Sequence, residues 1–180
     1  MTVTTFYSPK GGSGTSTVAA AVALGMSQAG STALVGDLHE LCAILGTLPH
    51  DGTAQANPAL IVLDENDVDV RDESTWEALG IDNVVVDAGT RPEGDRINGK
   101  AVLVVRPCFL ALRKATQVHR PVVLVIEDGR ALGRSDVEGA LGVPVEPSIA
   151  RAIDAGILTS RVPRMLSRAL APIVEGVTTA

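Results

Sequence analysis

The residues most able to do chemistry lie in a glycine-rich segment near the start of the chain. The segment Lys10-Gly11-Gly12-Ser13-Gly14-Thr15-Ser16-Thr17 follows the apolar run Val3–Tyr7 and precedes a second apolar run that begins at Val18. A strand, a glycine-rich turn and a helix start are the context in which backbone N–H groups and a helix dipole hold a phosphate. The sequence therefore predicts an anion site here, and a glycine-rich turn without a ligand is the alternative.

The loop lacks the lysine that usually follows its last glycine. Thr15 stands where that lysine is expected, and Ser16 stands at the position of the hydroxyl that binds Mg²⁺. The lysine normally bridges the β- and γ-phosphates and stabilises the charge of the transition state. Threonine carries no charge, so we expect nucleotide binding in weakened form and a larger loss of hydrolysis.

Two acidic residues close apolar strands further along the chain. Asp37 follows Leu34-Val35-Gly36, and Asp87 follows the run Asn83–Val86. An acid at the end of a buried strand beside a phosphate loop can hold Mg²⁺ through water. Asp87 and Ser16 are therefore the predicted metal site, and a role for Asp87 as a cap of the next turn is the alternative.

These residues resemble the ParA/MinD family of partitioning and positioning ATPases, whose deviant Walker A loop reads K-G-G-x-G-K-[ST]. The resemblance implies that Gly11 to Thr17 bind ATP or ADP with Mg²⁺. It also implies that Lys10 reaches across a nucleotide-sandwich homodimer to the partner's phosphates. Asp37 matches the first aspartate of the family's D-x-D, and His39 occupies the position of the second. The implied function is a nucleotide-dependent dimer switch in DNA partition, as in plasmid or chromosome segregation, or in intracellular positioning, with non-specific DNA and a ParB-like adaptor as candidate partners.

The sequence departs from the family pattern at three places around the same presumed ligand. Besides Thr15 and His39, Glu127-Asp128 follow an apolar strand after which the family often has an asparagine that contacts adenine. Two adjacent acids argue against a good adenine contact. A non-hydrolysing pseudo-ATPase scaffold on the same fold is therefore the alternative function. A weaker third hypothesis is a small-molecule kinase or synthetase in which Arg91 and Arg96 contact the transferred phosphate.

Basic residues are concentrated late in the chain. Residues 1–100 hold 5 basic and 14 acidic residues, a net charge of −9, whereas residues 101–180 hold 10 basic and 7 acidic, a net charge of +3. The spacing of Arg161, Arg164 and Arg168 predicts one face of a helix, with Arg151 just upstream. Family members that bind DNA non-specifically use late basic residues for phosphate contacts. A solvated helix face is the alternative.

Composition predicts one domain spanning residues 1–180, because 46% of the residues are apolar and no linker is evident. The sequence contains no run of about 18 apolar residues, so no membrane span is predicted. The final residues 175–180 lack the basic amphipathic character of a membrane-targeting tail, so no membrane partner is expected. The sequence has no basic leader, and its two cysteines are far apart, so a cytoplasmic location is expected.

Short apolar runs alternate with helical segments, which predicts a doubly wound, mostly parallel α/β sheet flanked by helices, as in P-loop NTPases. The predicted strands are Val3–Tyr7, Thr32–Val35, Ala59–Leu63, Asn83–Val86, Ala101–Val105 and Val122–Ile126. The predicted helices are Ser16–Gln28, Glu73–Leu79, Phe109–His119, Ser135–Leu141, Ser148–Ala155 and Pro163–Ile173. The stretches Gly46–Pro58 and Thr90–Lys100 are predicted as loops.

Overall fold

Parallel strands form the centre of the structure, a computed structural model that describes residues 1–91, 99–118 and 120–178. Eight strands lie within these residues. They are β1 (Thr2–Tyr7), β2 (Thr32–Gly36), β3 (Thr53–Asn57), β4 (Leu60–Asp64), β5 (Asn83–Asp87), β6 (Lys100–Val105), β7 (Val122–Ile126) and β8 (Leu141–Pro144). All six strands predicted from apolar runs are confirmed, each to within one residue at either end.

The strands form one sheet in the order β3-β4-β2-β5-β1-β6-β7-β8. Every neighbouring pair is parallel except β3 with β4. After β1 the chain continues on the β5 side of the sheet, and after β5 it crosses β1 to form β6 on the other side. The loops that follow β1 and β5 therefore leave the carboxyl edge of the sheet in opposite directions. That is the place where open α/β sheets bind ligands.

Helices cover both faces of the sheet. Their bounds are α1 (Thr15–Met26), α2 (Leu38–Leu45), α3 (Glu73–Ala78), α4 (Phe109–Ala115), α5 (Pro147–Asp154) and α6 (Arg164–Thr178). Helices α1, α2, α5 and α6 share one hydrophobic core with one face of the sheet. The opposite face packs two smaller cores, one beneath α4 and one around Trp76 of α3. The predicted doubly wound α/β architecture is confirmed.

Burial on both faces explains why the strand runs are apolar throughout. Leu34 and Val85 point into the core beneath α1, whereas their neighbours Val35 and Val84 point into the core around Trp76. Successive side chains of a strand face opposite sides of the sheet, so an uninterrupted apolar run is needed when both sides are covered.

The predicted helix at Ser135–Leu141 is wrong. Only a single 3-10 turn, Arg134–Asp136, forms there, and Leu141 already begins β8. Gly139 has a positive φ of 72°, a conformation that a right-handed helix does not contain. The sequence analysis therefore missed the last strand of the sheet.

The stretch Gly46–Pro58, predicted as a loop, contains the edge strand β3. Its residues are small and polar because much of an edge strand faces solvent. Helix α2 was also missed, although Leu38, Leu41, Cys42 and Leu45 recur at helical spacing and are all buried. The predicted loop Thr90–Lys100 lies mostly outside the described residues, as does His119, the predicted end of α4.

Helix α2 ends against the turn that follows α5. Gly46 caps α2 with a φ of 73°, and a Cβ added to it would overlap the carbonyl oxygen of Gly156. Gly156 itself has a φ of 59°, and its Cβ would lie 2.9 Å from the carbonyl oxygen of Ala43. The two glycines therefore let two backbones approach more closely than side chains would allow, and this contact fixes α5 against the core.

We expect Gly46→Ala to destabilise the protein strongly, by more than about 4 kcal/mol, because it adds a backbone overlap to an unfavourable φ. Gly80→Ala is the matched control. Gly80 has a similar φ of 65°, and a Cβ added to it would have no atom within 4 Å, so Gly80→Ala should lower the free energy of unfolding by only about 1–2 kcal/mol. Urea unfolding of both variants gives the comparison, and equal losses would contradict the close approach.

Candidate functional site

The glycine-rich loop lies at the carboxyl end of β1, the strand that runs between β5 and β6. The loop entry is tied to the strand β5 by backbone hydrogen bonds. Ser8 N–H donates to Gly89 C=O at 2.8 Å, and Ala88 N–H donates to Phe6 C=O at 2.8 Å. These bonds hold the start of the loop beside Asp87, the last residue of β5. The two motifs that the sequence separates by 70 residues are thereby brought together.

The loop is shaped by its glycines and by two serine hydroxyls. Gly12 and Gly14 have φ angles of 73° and 87°, which side-chain-bearing residues rarely adopt. The hydroxyls of Ser8 and Ser13 both donate to the carbonyl oxygen of Lys10, at 2.9 and 2.8 Å. The first hydrogen bond of α1 runs from Val18 N–H to Gly14 C=O. The preceding N–H groups of the helix have no carbonyl partner within it and remain available to an anion.

Ser16 and Asp87 meet behind the loop. Burial raises the pKa of Asp87 above its ordinary value, and the nearby Glu40 carboxylate adds to this effect. Hydrogen bonds from the Ser16 hydroxyl and the Gly89 N–H, the latter at 3.0 Å, act in the opposite direction. No cluster of three or more His, Cys, Asp or Glu side chains able to hold a metal occurs in the described part of the chain. A cation here would therefore take most of its ligands from water and phosphate, as Mg²⁺ does.

A cavity of about 420 Å³ opens in front of the loop. It is lined by all eight loop residues from Lys10 to Thr17, and also by Glu40, Gly89, Thr90 and Arg106. Glu40 and Arg106 were not predicted as site residues. Glu40 lies in α2, one residue beyond the D-x-D position, and Arg106 directly follows the apolar strand β6.

Asp37 and His39 do not line this cavity. Asp37 caps α2, accepting a hydrogen bond from the backbone N–H of Glu40 at 3.0 Å. His39 is exposed and lies close enough to Asp64 to help lower the pKa of that carboxyl, after the hydrogen bonds from Asn66. Of the acidic residues that follow β2, Glu40 is the one whose side chain reaches the loop.

Arg91 is engaged by the backbone and by an acid. It donates to the carbonyl oxygens of Ala88 and Asp87 at 3.2 and 3.1 Å and forms an ion pair with Glu65. Arg96 lies outside the described residues. These contacts give Arg91 a structural role beside β5 and leave little support for the kinase hypothesis.

A second, apolar pocket of about 130 Å³ adjoins the loop cavity. Its walls come from β7, β8 and α5, including Val125, Pro144 and Ile149, and it shares Gly14, Thr17 and Arg106 with the loop cavity. Glu127 and Asp128, which follow β7, are not part of its lining. The prediction that these two acids disfavour an adenine contact therefore does not apply to a ligand in this pocket.

Glu127 is held between two arginines. Its carboxylate accepts hydrogen bonds from Arg106 Nη1 at 2.9 Å and from Arg130 Nε at 2.7 Å. The hydrogen bond from Arg130 is the main reason that the pKa of Glu127 lies below its ordinary value, and Arg106 contributes. The acid after β7 thus stays ionised and orients two cations.

The late arginines divide into two groups. Arg151, Arg161 and Arg164 line a groove of about 790 Å³ between α5 and the start of α6, whereas Arg168 is exposed elsewhere. The prediction that Arg161 lies on the helix face of Arg164 and Arg168 is wrong. Helix α6 begins only at Arg164, because Pro163 disfavours helical geometry in the residues before it. None of the four forms an ion pair with a described residue.

No described helix is long and apolar enough to cross a membrane. The sequence matches no known protein-family model, and no curated protein sequence matches it either. Comparison of the fold with solved structures gives a different result.

The fold is similar to MinD cell division protein from Aquifex aeolicus, with a TM-score of 0.76 and 18% identity, covering 100% of this chain and 98% of that chain. A ParA family ATPase from Chlorobium tepidum TLS gives a TM-score of 0.65 and 16% identity, covering 99% of each chain. An ATP complex of McdA from Cyanothece gives a TM-score of 0.65 and 12% identity, covering 99% of this chain and 95% of that chain.

These similarities establish the fold class. The chain has a ParA/MinD-like fold, as its loop and strand ends indicated. At 12–18% identity the similarity concerns the fold alone.

We expect Asp87→Asn to stabilise the protein at pH 7. The raised pKa of Asp87 means that the ionised form is disfavoured in the folded state. Wild-type stability is therefore lost as pH rises from the ordinary carboxyl pKa of 3.8 through the folded value, and the neutral amide avoids that loss. Thermal unfolding between pH 3 and pH 8 measures the difference between the variant and wild type, which should vanish at the acid end.

Asp72→Asn is the control, because hydrogen bonds from Ser74 and Thr75 lower the pKa of Asp72. That variant should gain nothing at neutral pH. An Asp87→Asn protein less stable than wild type at pH 7 would contradict the burial argument.

Proposed function

We propose that this protein binds ATP or ADP with Mg²⁺ in the loop cavity and acts as a nucleotide-dependent dimer switch in DNA partition or intracellular positioning, with hydrolysis weak or absent. The observation that carries the proposal is the loop itself. Its glycine conformations, its free helix N–H groups and the contact between Ser16 and Asp87 together form a phosphate and Mg²⁺ site on a ParA/MinD-like fold.

The two adjoining spaces match the two parts of a nucleotide. The phosphates would lie against Gly11 to Thr17, with Mg²⁺ near Ser16 and Asp87, and the base would enter the apolar pocket between β8 and α5. Gly14 and Thr17 border both spaces, so a ligand can extend from one into the other. Bound nucleotide supplies the phosphate charge to which the helix N-terminus and Mg²⁺ respond.

Weak hydrolysis follows from the side chains that face the cavity. Thr15 brings no positive charge to a transferring phosphate, and His39 is not among the residues that line the cavity. Glu40 is the carboxylate on the cavity wall, so it is our candidate to orient an attacking water in residual turnover. Its negative charge also repels phosphate, which disfavours tight binding without Mg²⁺.

Lys10 supports the dimer part of the proposal. It is exposed on the rim of the cavity and forms no ion pair with a described residue. In a nucleotide-sandwich homodimer such a side chain would reach the phosphates held by the other protomer. A ParB-like adaptor would act on that dimer.

Calorimetric titration with ATP and with ADP, with and without Mg²⁺, tests the switch, together with the molar mass in solution. We expect millimolar to micromolar binding, a doubled mass with ATP and Mg²⁺, and little turnover. Thr15→Lys should raise turnover by at least about tenfold, since a charge at the transferring phosphate stabilises the transition state. Glu40→Gln in the Thr15→Lys background should then remove most of the gain.

No binding of either nucleotide at millimolar concentration would contradict the proposal. The non-hydrolysing scaffold is the second candidate, supported by the substitution at Thr15 and the displaced His39. An inert Thr15→Lys variant that still binds ATP would favour it.

The arginine groove supports non-specific DNA as a partner. Arg151, Arg161 and Arg164 converge on one concave surface in the basic half of the chain, where each can contact a phosphate. With 790 Å³ of space, the groove is larger than the loop cavity, and it is lined by Ser148 as well. Phosphate contacts of this kind carry no sequence information, which suits a partitioning protein.

We expect Arg151→Ala and Arg164→Ala each to weaken DNA binding and to lower the slope of log K against log salt by about 0.9. Arg168→Ala is the control, because it removes an exposed arginine from the same helix outside the groove. Fluorescence anisotropy with duplex DNA at several salt concentrations provides the measurement. Equal effects of Arg164→Ala and Arg168→Ala, or binding that salt does not change, would contradict a groove-specific contact.

A further inference from the structure

Arg106 lies where the loop cavity and the apolar pocket meet. It directly follows β6, whose hydrogen-bonded neighbour is β1, so it emerges beside the glycine-rich loop at the carboxyl edge of the sheet. Within residues 1–91, 99–118 and 120–178, it is the only residue apart from Gly14 and Thr17 that lines both spaces. A ligand that extended from one space to the other would pass its guanidinium.

The charges around the loop cavity make this position significant. Among the described residues that line the cavity, Lys10 and Arg106 are the cations and Glu40 is the anion. Lys10 is exposed on the rim, and Thr15 is neutral. A polyphosphate with several negative charges would therefore find Arg106 as the cation between loop and pocket, with no lysine at the start of α1.

The acidic partner of Arg106 orients its guanidinium and engages one of its N–H donors. Arg106 Nη1 donates to Glu127 Oε1 at 2.9 Å, and the guanidinium carries four further N–H donors. Glu127 in turn accepts from Arg130 through its other oxygen, at 2.6–2.7 Å. Two cations share one carboxylate, so the group of three carries a net charge of +1. The Arg106 side chain remains 48% exposed, while that of Glu127 is 18% exposed.

We propose that Arg106 binds the phosphate oxygens of the ligand in place of the lysine that Thr15 lacks, with Glu127 and Arg130 as positioning residues. A guanidinium offers two parallel N–H groups to a phosphate, a geometry that suits binding across the cavity from β6. The cation thus follows β6, whereas the missing lysine would stand at the start of α1. This inference rests on the proposed function in that the ligand is a phosphate compound.

Calorimetry with inorganic tripolyphosphate and with ATP, each without Mg²⁺, tests the role of Arg106. Arg106→Ala should weaken the affinity for both probes by about 10- to 100-fold, the range for a hydrogen-bonded charge pair. Arg113→Ala is the matched control, since it removes an exposed arginine from α4 that lines neither space, and it should change affinity less than about threefold. Arg106→Lys should retain part of the affinity because it keeps the charge.

A double-mutant cycle tests whether Arg106 replaces the missing lysine at position 15 or only adds positive charge to the cavity. Thr15→Lys should restore affinity in the Arg106→Ala protein by a larger factor than it raises affinity in wild type, because the two cations serve the same phosphate. Equal factors in both backgrounds would overturn the claim that Arg106 takes the place of the lysine. Melting temperatures of the variants establish that each is folded.

The outcomes also separate this inference from the proposed function. If the Arg106→Ala protein binds both probes as tightly as wild type does, the role of Arg106 is overturned and nucleotide binding is left intact. Binding of tripolyphosphate but not ATP to wild type, lost in Arg106→Ala, would support Arg106 and contradict the nucleotide function. Failure of wild type to bind either probe would overturn the role of Arg106, and failure to bind ATP with Mg²⁺ as well would overturn the proposed function.

Discussion

The position of β1 between β5 and β6 is the constraint on which the site depends. Parallel pairing in register brings Phe6 level with Asp87 on one side and Tyr7 level with Leu103 on the other. The residues that follow these three strands therefore meet at one edge, although they are far apart in sequence. The glycine-rich loop, the buried acid and Arg106 are the consequence. A displacement of β1 by one residue would turn its side chains to the opposite faces and separate the loop from Asp87.

Phosphate binding in this loop separates into a backbone part and a side-chain part. The backbone part is intact, because the glycines adopt positive φ angles and the first N–H groups of α1 have no helical partner. The side-chain part is rearranged: Thr15 is neutral, His39 does not line the cavity, and Glu40 and Arg106 do. Binding of an anion requires only the backbone and some positive charge, whereas hydrolysis requires charges at defined places. This difference is the basis of the proposed function, in which nucleotide binding is retained and hydrolysis is weak or absent.

Helix α5 contributes to both the apolar pocket beside the loop and the arginine groove. Ile149 and Ile153 line the apolar pocket, while Arg151 and Ala155 line the groove on another side of the same helix. The helix is held in place by the close approach of Gly46 and Gly156, which leaves its carboxyl end little freedom to move. Both surfaces are therefore built on one short helix whose position is set by backbone contacts.

The sequence by itself determined the fold class and the position of the glycine-rich loop between β1 and α1. Uninterrupted apolar runs indicate strands buried on two faces, and a loop of glycines between a strand and a helix has few other uses. It could not identify the edge strand β3, whose small polar residues have no apolar pattern, or place Arg161 off the helix. Only the tertiary structure decided which strand-end residues face the loop. His39 and Glu40 are neighbours in sequence but point in different directions, because Asp37 caps a helix there. Arg106 contacts Glu127 only because β6 and β7 are paired. Side-chain direction at a strand end depends on these long-range contacts, and local sequence does not encode them.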